Sequence, residues 1–256
     1  MPITTGFQLN IPPQSWIKTY WIIGLTTLAF AIVWLFPFHP VGVGLKGYAP
    51  LHTLLETFAI VISGAIFSIS WHTRSTRGAD MFALLAVGFL GVALLDVAHT
   101  LSFKGMPDWF TPSGGGKAIN FWFLARYLAV FSIIVFVLGK EEHKYPQGAN
   151  WLALLGVLLL VLSAGWVVNA HPDWLPVFLV PGEGLTPLKV QLEWLLIALE
   201  VVALALVWFK RKESNFYDSA SLILALWLTC LSELCFTLYS NAADIFNLLG
   251  HVYKVL

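Results

Sequence analysis

Long apolar runs separated by short polar or Pro- and Gly-rich breaks dominate the pattern of the chain. A helix that crosses a hydrocarbon core of about 30 Å needs about 20 mostly apolar residues. Seven runs have this length, and Trp, Tyr, Lys or Arg side chains of the kind that anchor helices at the membrane interface flank them. They cover residues 17–38, 51–71, 81–103, 118–138, 150–168, 188–209 and 217–238. The pattern predicts an all-α, polytopic transmembrane helical bundle.

An eighth apolar run begins near Phe246 and stops at Leu256. At a rise of about 1.5 Å per residue, it covers only about half of the hydrocarbon core. We therefore expect seven full spans plus the start of an eighth, with residues 1–256 forming a single membrane-embedded domain. We also expect this chain to be the amino-terminal piece of a longer protein, whose output domain would follow Leu256.

The composition agrees with a membrane protein. Hydrophobic residues make up 58% of the chain and charged residues 11%, whereas soluble domains contain roughly a quarter charged residues. The 14 basic residues cancel the 14 acidic ones, so the net charge gives no reason to expect a nucleic acid as partner.

The basic residues at helix ends and in loops are unevenly divided between the two sides of the predicted bundle. Eight lie on the side of the amino terminus: Lys18, Arg74, Arg77, Lys140, Lys144, Lys210, Arg211 and Lys212. Four lie on the other side: Lys46, Lys104, Lys117 and Lys189. Because cytoplasmic loops carry the excess of Lys and Arg, we expect the amino terminus to be cytoplasmic. A completed eighth span would place the carboxyl terminus there too.

Several ionisable residues lie inside the predicted spans, where unpaired charges are costly and therefore point to function. His52 and Glu56 are four residues apart, and Asp96 and His99 are three apart, so each pair shares a helix face. The remaining members are Arg126, Glu193, Glu200, Glu233, His251 and Lys254. Alternating helix directions place most of the set in the outer half of the membrane, with Glu200 near its middle.

Three histidines and several carboxylates at one depth are a suitable donor set for a transition metal. Imidazole binds copper, zinc and iron, and a carboxylate commonly accepts the second N–H of a ligating histidine. Metal ligation is therefore expected from His52, His99 and His251. Supporting or ligand-binding roles are expected for Glu56, Asp96, Arg126, Glu233 and Lys254. Two alternatives remain: two of the histidines ligate a haem, or the set forms ion pairs that only fix helix packing.

Sequence patterns of known catalytic sites give no support for an enzyme within this segment. The chain has neither the His-Glu-x-x-His pattern of zinc proteases nor the Gly-x-Ser-x-Gly pattern of serine hydrolases. The stretch from Ser113 to Lys117 has three glycines but lacks the spacing of a phosphate-binding loop.

Four segments that hold the buried charges resemble the third family of bacterial membrane-associated sensor domains. They are LHTLLE at 51–56, FLGVALLDVAHTLSFKGMP at 89–107, FWFLARYL at 121–128 and LSELCFTLYSNAADIFNLLGHVYKVL at 231–256. The resemblance covers nearly the whole chain, and the second and fourth segments are its most specific parts. The motif positions it carries over are His52, Glu56, Asp96, His99, Arg126, Glu233, His251 and Lys254.

The resemblance implies a sensory role in the bacterial cytoplasmic (inner) membrane. In that family, an eight-helix input domain precedes cytoplasmic modules such as diguanylate cyclase, phosphodiesterase, PAS or histidine kinase domains. It thus implies a covalently attached effector, in cyclic-di-GMP signalling for example, and by analogy a homodimer. The domain itself would not be an enzyme.

The leading hypothesis is a helical-bundle sensor in contact with the lipid bilayer. Its outer-half pocket would bind a metal, a haem or a small ligand, and its last helix would relay occupancy to the effector. One alternative is a proton-coupled transporter that uses the acidic residues Glu56, Asp96, Glu193, Glu200 and Glu233. Another is a membrane oxidoreductase that uses quinone or haem.

Overall fold

The protein is described by a computed structural model that covers residues 14–36, 43–74, 81–139, 146, 148–180, 183–211 and 217–256. These ranges contain eight α-helices. They are α1 (Gln14–Leu35), α2 (Tyr48–Thr73), α3 (Met81–Ser102), α4 (Gly115–Leu138), α5 (Ala149–Ala170), α6 (Pro187–Lys210), α7 (Ser219–Leu238) and α8 (Ile245–Val255). A short 3₁₀ turn (Pro172–Trp174) and a two-stranded hairpin, β1 (Leu179–Val180) and β2 (Gly184–Leu185), lie between α5 and α6.

Helices α1 to α7 are each long and apolar enough to cross a membrane, so the prediction of seven spans in an all-α membrane bundle is confirmed. The observed helices are up to a few residues longer or shorter than the apolar runs, because polar residues can continue a helix into the interface. The eighth apolar run forms α8, which has 11 residues.

Helix α3 is the most buried span, and it packs between α2 on one side and α4 and α5 on the other. Small residues allow the close approach: a Cβ atom added at Gly91 would lie 2.6 Å from side-chain atoms of Leu128 and Val157. Helix α7 packs against α1, α6 and α8, and contacts of α6 with α4 and of α8 with α2 join these helices to the first group. Helices α1 and α5 are the least buried spans.

The start of α8 is fixed by the buried carboxylate of Asp244. Its oxygens accept hydrogen bonds from the backbone N–H groups of Asn247 at 3.0 Å, Ser240 at 3.0 Å and Asn241 at 3.3 Å. An Asp at this capping position satisfies N–H groups that have no partner within the helix. The cap holds α8 against α2 and α7, at the end of the bundle where α2, α4 and α6 begin.

Candidate functional site

Three histidines from three helices meet inside the bundle. The ring centroid of His52 on α2 lies 5.3 Å from that of His99 on α3 and 4.6 Å from that of His251 on α8. Their exposed fractions are 0%, 5% and 3%. The sequence predicts these residues at one depth, and the structure brings them into contact. We call this group, together with Glu56, the histidine centre.

A backbone carbonyl fixes the protonation of His99. Its Nδ1 lies 2.9 Å from the carbonyl oxygen of Ala118, which can only accept a hydrogen bond, so Nδ1 carries the proton. The neutral ring then presents the lone pair of Nε2 to the interior, where Nε2 of His52 lies 3.3 Å away. Nδ1 of His52 has no hydrogen-bond partner in the described part of the chain. Nε2 of His52 therefore donates a hydrogen bond to Nε2 of His99.

Glu56 completes the donor set from the same helix as His52. Its carboxylate accepts hydrogen bonds from Nζ of Lys254 at 2.7 and 2.9 Å. Nδ1 of His251 lies 2.8 Å from one carboxylate oxygen. The ligand atoms of the four residues of the histidine centre all lie within 4.8 Å of one another. This donor set could hold a metal ion.

Aromatic side chains enclose the histidine centre. The ring of Phe103 stacks on His52, with centroids 3.8 Å apart and planes 19° from parallel. The ring of Phe236 meets His251 edge-on at 5.0 Å. Tyr48 donates a hydrogen bond to the side-chain oxygen of Asn247, closing the side near the loop before α8. This packing restricts ring rotation and keeps the imidazoles close together.

A chain of ion pairs extends from the histidine centre. Arg126 on α4 donates hydrogen bonds to both carboxylate oxygens of Asp96, at 2.9 and 2.7 Å. Nζ of Lys254 lies 3.3 Å from Asp96 as well as bonding Glu56. Lys254 thus bridges two carboxylates that belong to different helices.

Sharing a helix face does not make these residues partners. Glu56 could orient His52, and Asp96 could orient His99, but neither contact forms. Glu56 instead pairs with Lys254, and the ring of His99 is oriented by a carbonyl group. Shared faces brought the groups into one region, but the partners come from neighbouring helices.

A second buried cluster lies on α6 and α7, and we call it the carboxyl cluster. Lys189, which is 1% exposed, forms an ion pair with Glu193 and donates to the carbonyl oxygen of Phe236 at 2.6 Å. The carboxyl group of Glu233 faces Glu193. Of the expected site residues, Glu233 therefore belongs here and not with the histidines. Glu200 lies deeper in the same cluster.

Lys189 is the residue that sequence reasoning missed, because it was counted among the basic residues of the outer loops. Its position four residues before Glu193 was the available signal, since that spacing puts both side chains on one helix face. The ammonium group also lies 4.5 Å from the ring centroid of Tyr239. Burial, with Glu193 and Asp244 adding to it, raises the pKa of that phenol, so it stays protonated.

A cavity of about 30 Å³ separates the two clusters. His99 and His251 line one part of its wall, and Lys189 and Glu193 line another. The indole of Trp122 is also part of the lining. The histidine centre and the carboxyl cluster therefore share one internal space.

The positive-inside prediction depends partly on residues that the structure does not cover. Arg77, Lys140, Lys144 and Lys212 lie outside the described residues. The orientation of the bundle in the membrane therefore stays a prediction.

Comparison with known proteins identifies one family. The family described as "Membrane-associated sensor domain" (MASE3) matches residues 43–256, well over half of the chain. No curated protein and no solved structure matches the chain. The matched range contains both buried clusters, and a sensor domain is an input module that is not itself catalytic. With its seven membrane-spanning helices, this chain belongs to the MASE3 family of membrane-associated sensor domains.

Proposed function

We propose that this sensor domain detects a divalent transition-metal ion at the histidine centre. The observation that carries the proposal is the convergence of four ligand atoms from three helices within 4.8 Å, all of them buried. Three imidazoles and one carboxylate match the preferences of zinc, copper and iron sites. A buried polar group that only holds helices together needs its hydrogen bonds satisfied, and Nδ1 of His52 has no such partner among the described residues.

The spacing of the histidine nitrogens suits a tetrahedral ion. Zinc–nitrogen distances of about 2.0–2.1 Å place two ligands of a tetrahedron about 3.3–3.4 Å apart. The Nε2 atoms of His52 and His99 are already 3.3 Å apart. Since no pair of ligand atoms exceeds 4.8 Å, the remaining ligands need to close by at most about 1.5 Å.

The same distances favour an ion over a haem. Two axial histidines of a haem bind on opposite faces of a wide macrocycle. Here the rings of His52 and His251 meet edge to face at 4.6 Å, and Phe103 covers the open face of His52. The adjoining cavity of about 30 Å³ is far smaller than a haem.

Lys254 supplies a route from ion binding to movement of α8. When a cation takes an oxygen of Glu56, repulsion drives the Lys254 ammonium away, and Asp96 lies only 3.3 Å from it. His251, on the same helix, is drawn toward His52 and His99 as the coordination sphere closes. The displacement of Lys254 and the inward movement of His251 both act on α8. Ion binding therefore favours a position of α8 that differs from the one without the ion. Differential affinity for two arrangements is what a sensor requires.

The output side of the proposal depends on orientation. With the excess of basic residues cytoplasmic, α8 runs toward the cytoplasm, and an effector attached beyond it would receive the movement. The amino terminus would be on that side as well.

Metal analysis of the purified protein tests the proposal. Protein stripped with a chelator and reloaded with Zn²⁺ should retain about one ion per chain, because the donor set forms one tetrahedral site. A His52→Ala/His99→Ala/His251→Ala variant should retain none. His72→Ala is the matched control, since His72 is an exposed histidine on α2. A wild-type protein that retains no more Zn²⁺ than the triple variant would overturn the proposal.

A further inference from the structure

The buried charges of the carboxyl cluster do not balance. At the histidine centre, Lys254 neutralises Glu56, and beside it Arg126 neutralises Asp96. The carboxyl cluster contains three acids, Glu193, Glu200 and Glu233, but Lys189 is its only described base. Two carboxyl groups are therefore without a basic partner. Uncompensated charge in a buried site is so costly that such groups take up protons instead.

Burial indicates where one proton lies. The carboxyl oxygen Oε2 of Glu233 on α7 is buried and has no hydrogen-bond partner among the described residues, and the only described base of the cluster is paired with Glu193 on α6. A buried carboxylate without a base or a donor is costly, so the Glu193–Glu233 pair keeps a proton. Glu233 is 1% exposed and Glu193 is 0% exposed. Glu200, 5% exposed, is the second acid without a base, and it lies beside Thr229 and Cys230.

The surroundings of the Glu193–Glu233 pair offer little further compensation. Arg126 is the other cation that acts on Glu233, and it already donates hydrogen bonds to both carboxylate oxygens of Asp96. The charged and titratable groups that face the pair are Lys189 and Glu200 on α6, Arg126 and Tyr127 on α4, Cys230 and Cys235 on α7, and Tyr239 after α7. Apart from Lys189 and Arg126, these groups are acids or neutral.

The cavity between the clusters gives protons a path. Its volume of about 30 Å³ exceeds the minimum of about 10–15 Å³ that a water molecule needs. Water also needs polar partners, and the lining supplies Lys189, Glu193 and the histidines. The indole N–H of Trp122, a lining residue that is 4% exposed, has no hydrogen-bond partner among the described residues. One or two waters here would connect Glu193 to His99 and His251.

We propose that Glu193 and Glu233 form a proton-binding site that exchanges charge with the histidine centre, so that a divalent ion entering the centre displaces protons from the carboxyl cluster. Charge is conserved in this step. The ion adds two positive charges, and two protons leave, one from the Glu193–Glu233 pair and one from Glu200. The neutral histidines and the already ionised Glu56 contribute none. The displacement rests on the proposed ion site, whereas the proton on the carboxyl pair does not.

Proton release on Zn²⁺ addition tests the displacement. The chain of residues 1–256 in nanodiscs, in weak buffer with a pH-indicating dye, should release about two protons per Zn²⁺ bound, the number of acids without a base. Glu233→Gln should bind Zn²⁺ and release about one proton fewer. Glu183→Gln, an exposed site in the β1–β2 hairpin, is the matched control and should release as many protons as wild type. Zinc bound without proton release, or equal release by Glu233→Gln, would refute the displacement.

Infrared spectroscopy of the metal-free protein tests the proton site by itself. At neutral pH, the wild type should show the carbonyl band of a protonated carboxylic acid, and Glu233→Gln should weaken it. If Zn²⁺ does not bind but this band behaves as expected, the ion proposal fails and the proton site stands. If the band is absent from the wild type, the proton site is wrong whatever the metal result. Thermal unfolding of each variant confirms that it is folded.

Discussion

The ion pair between Arg126 and Asp96 gives the sharpest test of how the buried charges support the fold. Both groups are buried, with side-chain exposed fractions of 10% and 0%. Arg126→Leu leaves the Asp96 carboxylate without its two hydrogen bonds at 2.7 and 2.9 Å. Breaking a buried pair from one side costs about 3–5 kcal/mol. Lys254 stays 3.3 Å from Asp96 and still compensates part of its charge. We therefore expect the free energy of unfolding to fall by about 3 kcal/mol, the lower end of that range.

The assay is thermal unfolding in detergent, followed by circular dichroism. For a domain of this size, about 3 kcal/mol corresponds to a fall in Tm of about 6–12 °C. The double variant Asp96→Asn/Arg126→Leu removes the uncompensated charge and should recover at least half of the loss. Lys18→Met, which removes an exposed cation from α1, should change Tm little. A single variant as stable as wild type, or a double variant no more stable than the single one, would refute the reasoning.

Three further predictions concern the helix and charges around the histidine centre. Lys254→Met should raise Zn²⁺ affinity tenfold or more by calorimetry, because the ammonium no longer competes for Glu56; unchanged or weaker binding would contradict this. Gly250→Ala should weaken Zn²⁺ binding and cost about 1–3 kcal/mol in unfolding experiments, because the new Cβ would lie 2.7 Å from a phenylalanine ring of α7. Gly24→Ala, with open space around it, should do neither. In the wild type, where two protons leave on binding, Zn²⁺ affinity should rise about hundredfold for each unit of increase in pH. In Glu233→Gln, where one proton leaves, it should rise about tenfold. Equal pH dependence of the affinity in the two proteins would contradict the linkage between ion binding and proton release.

The membrane architecture was predictable because one physical requirement dominates it. Each span needs enough apolar length to cross the bilayer with its backbone hydrogen bonds satisfied, and this leaves a direct trace in the sequence. The common depth of His52, His99 and His251 was predictable for a related reason. Helix rise and alternating direction convert sequence position into height, so residues at matching heights could be recognised without knowing which helices touch.

The partners within the site were not predictable in the same way. Which helix faces which is decided by packing over the whole bundle, as with Gly91 against α4 and α5. The group that orients His99 is the carbonyl of Ala118, and a backbone acceptor has no signature in the side-chain pattern. Lys189 was misassigned because a lysine in the first turn of a span looks like an interfacial anchor. Only the structure shows that its ammonium group turns inward to Glu193.

Arg126 connects the two clusters and gives the proposed response a consistent charge balance. It pairs with Asp96, and it also faces Glu233 and Glu56. If an ion drives Lys254 toward Asp96, that carboxylate has two cations beside it, and one of them is then in excess. A proton leaving the Glu193–Glu233 pair leaves a negative charge facing Arg126 at the same moment. Arg126 can then share its charge with Glu233 while Lys254 takes its place at Asp96. The proposed shift of Lys254, and with it of α8, is therefore favoured when the carboxyl cluster loses protons, so ion and proton act as opposing ligands of one switch.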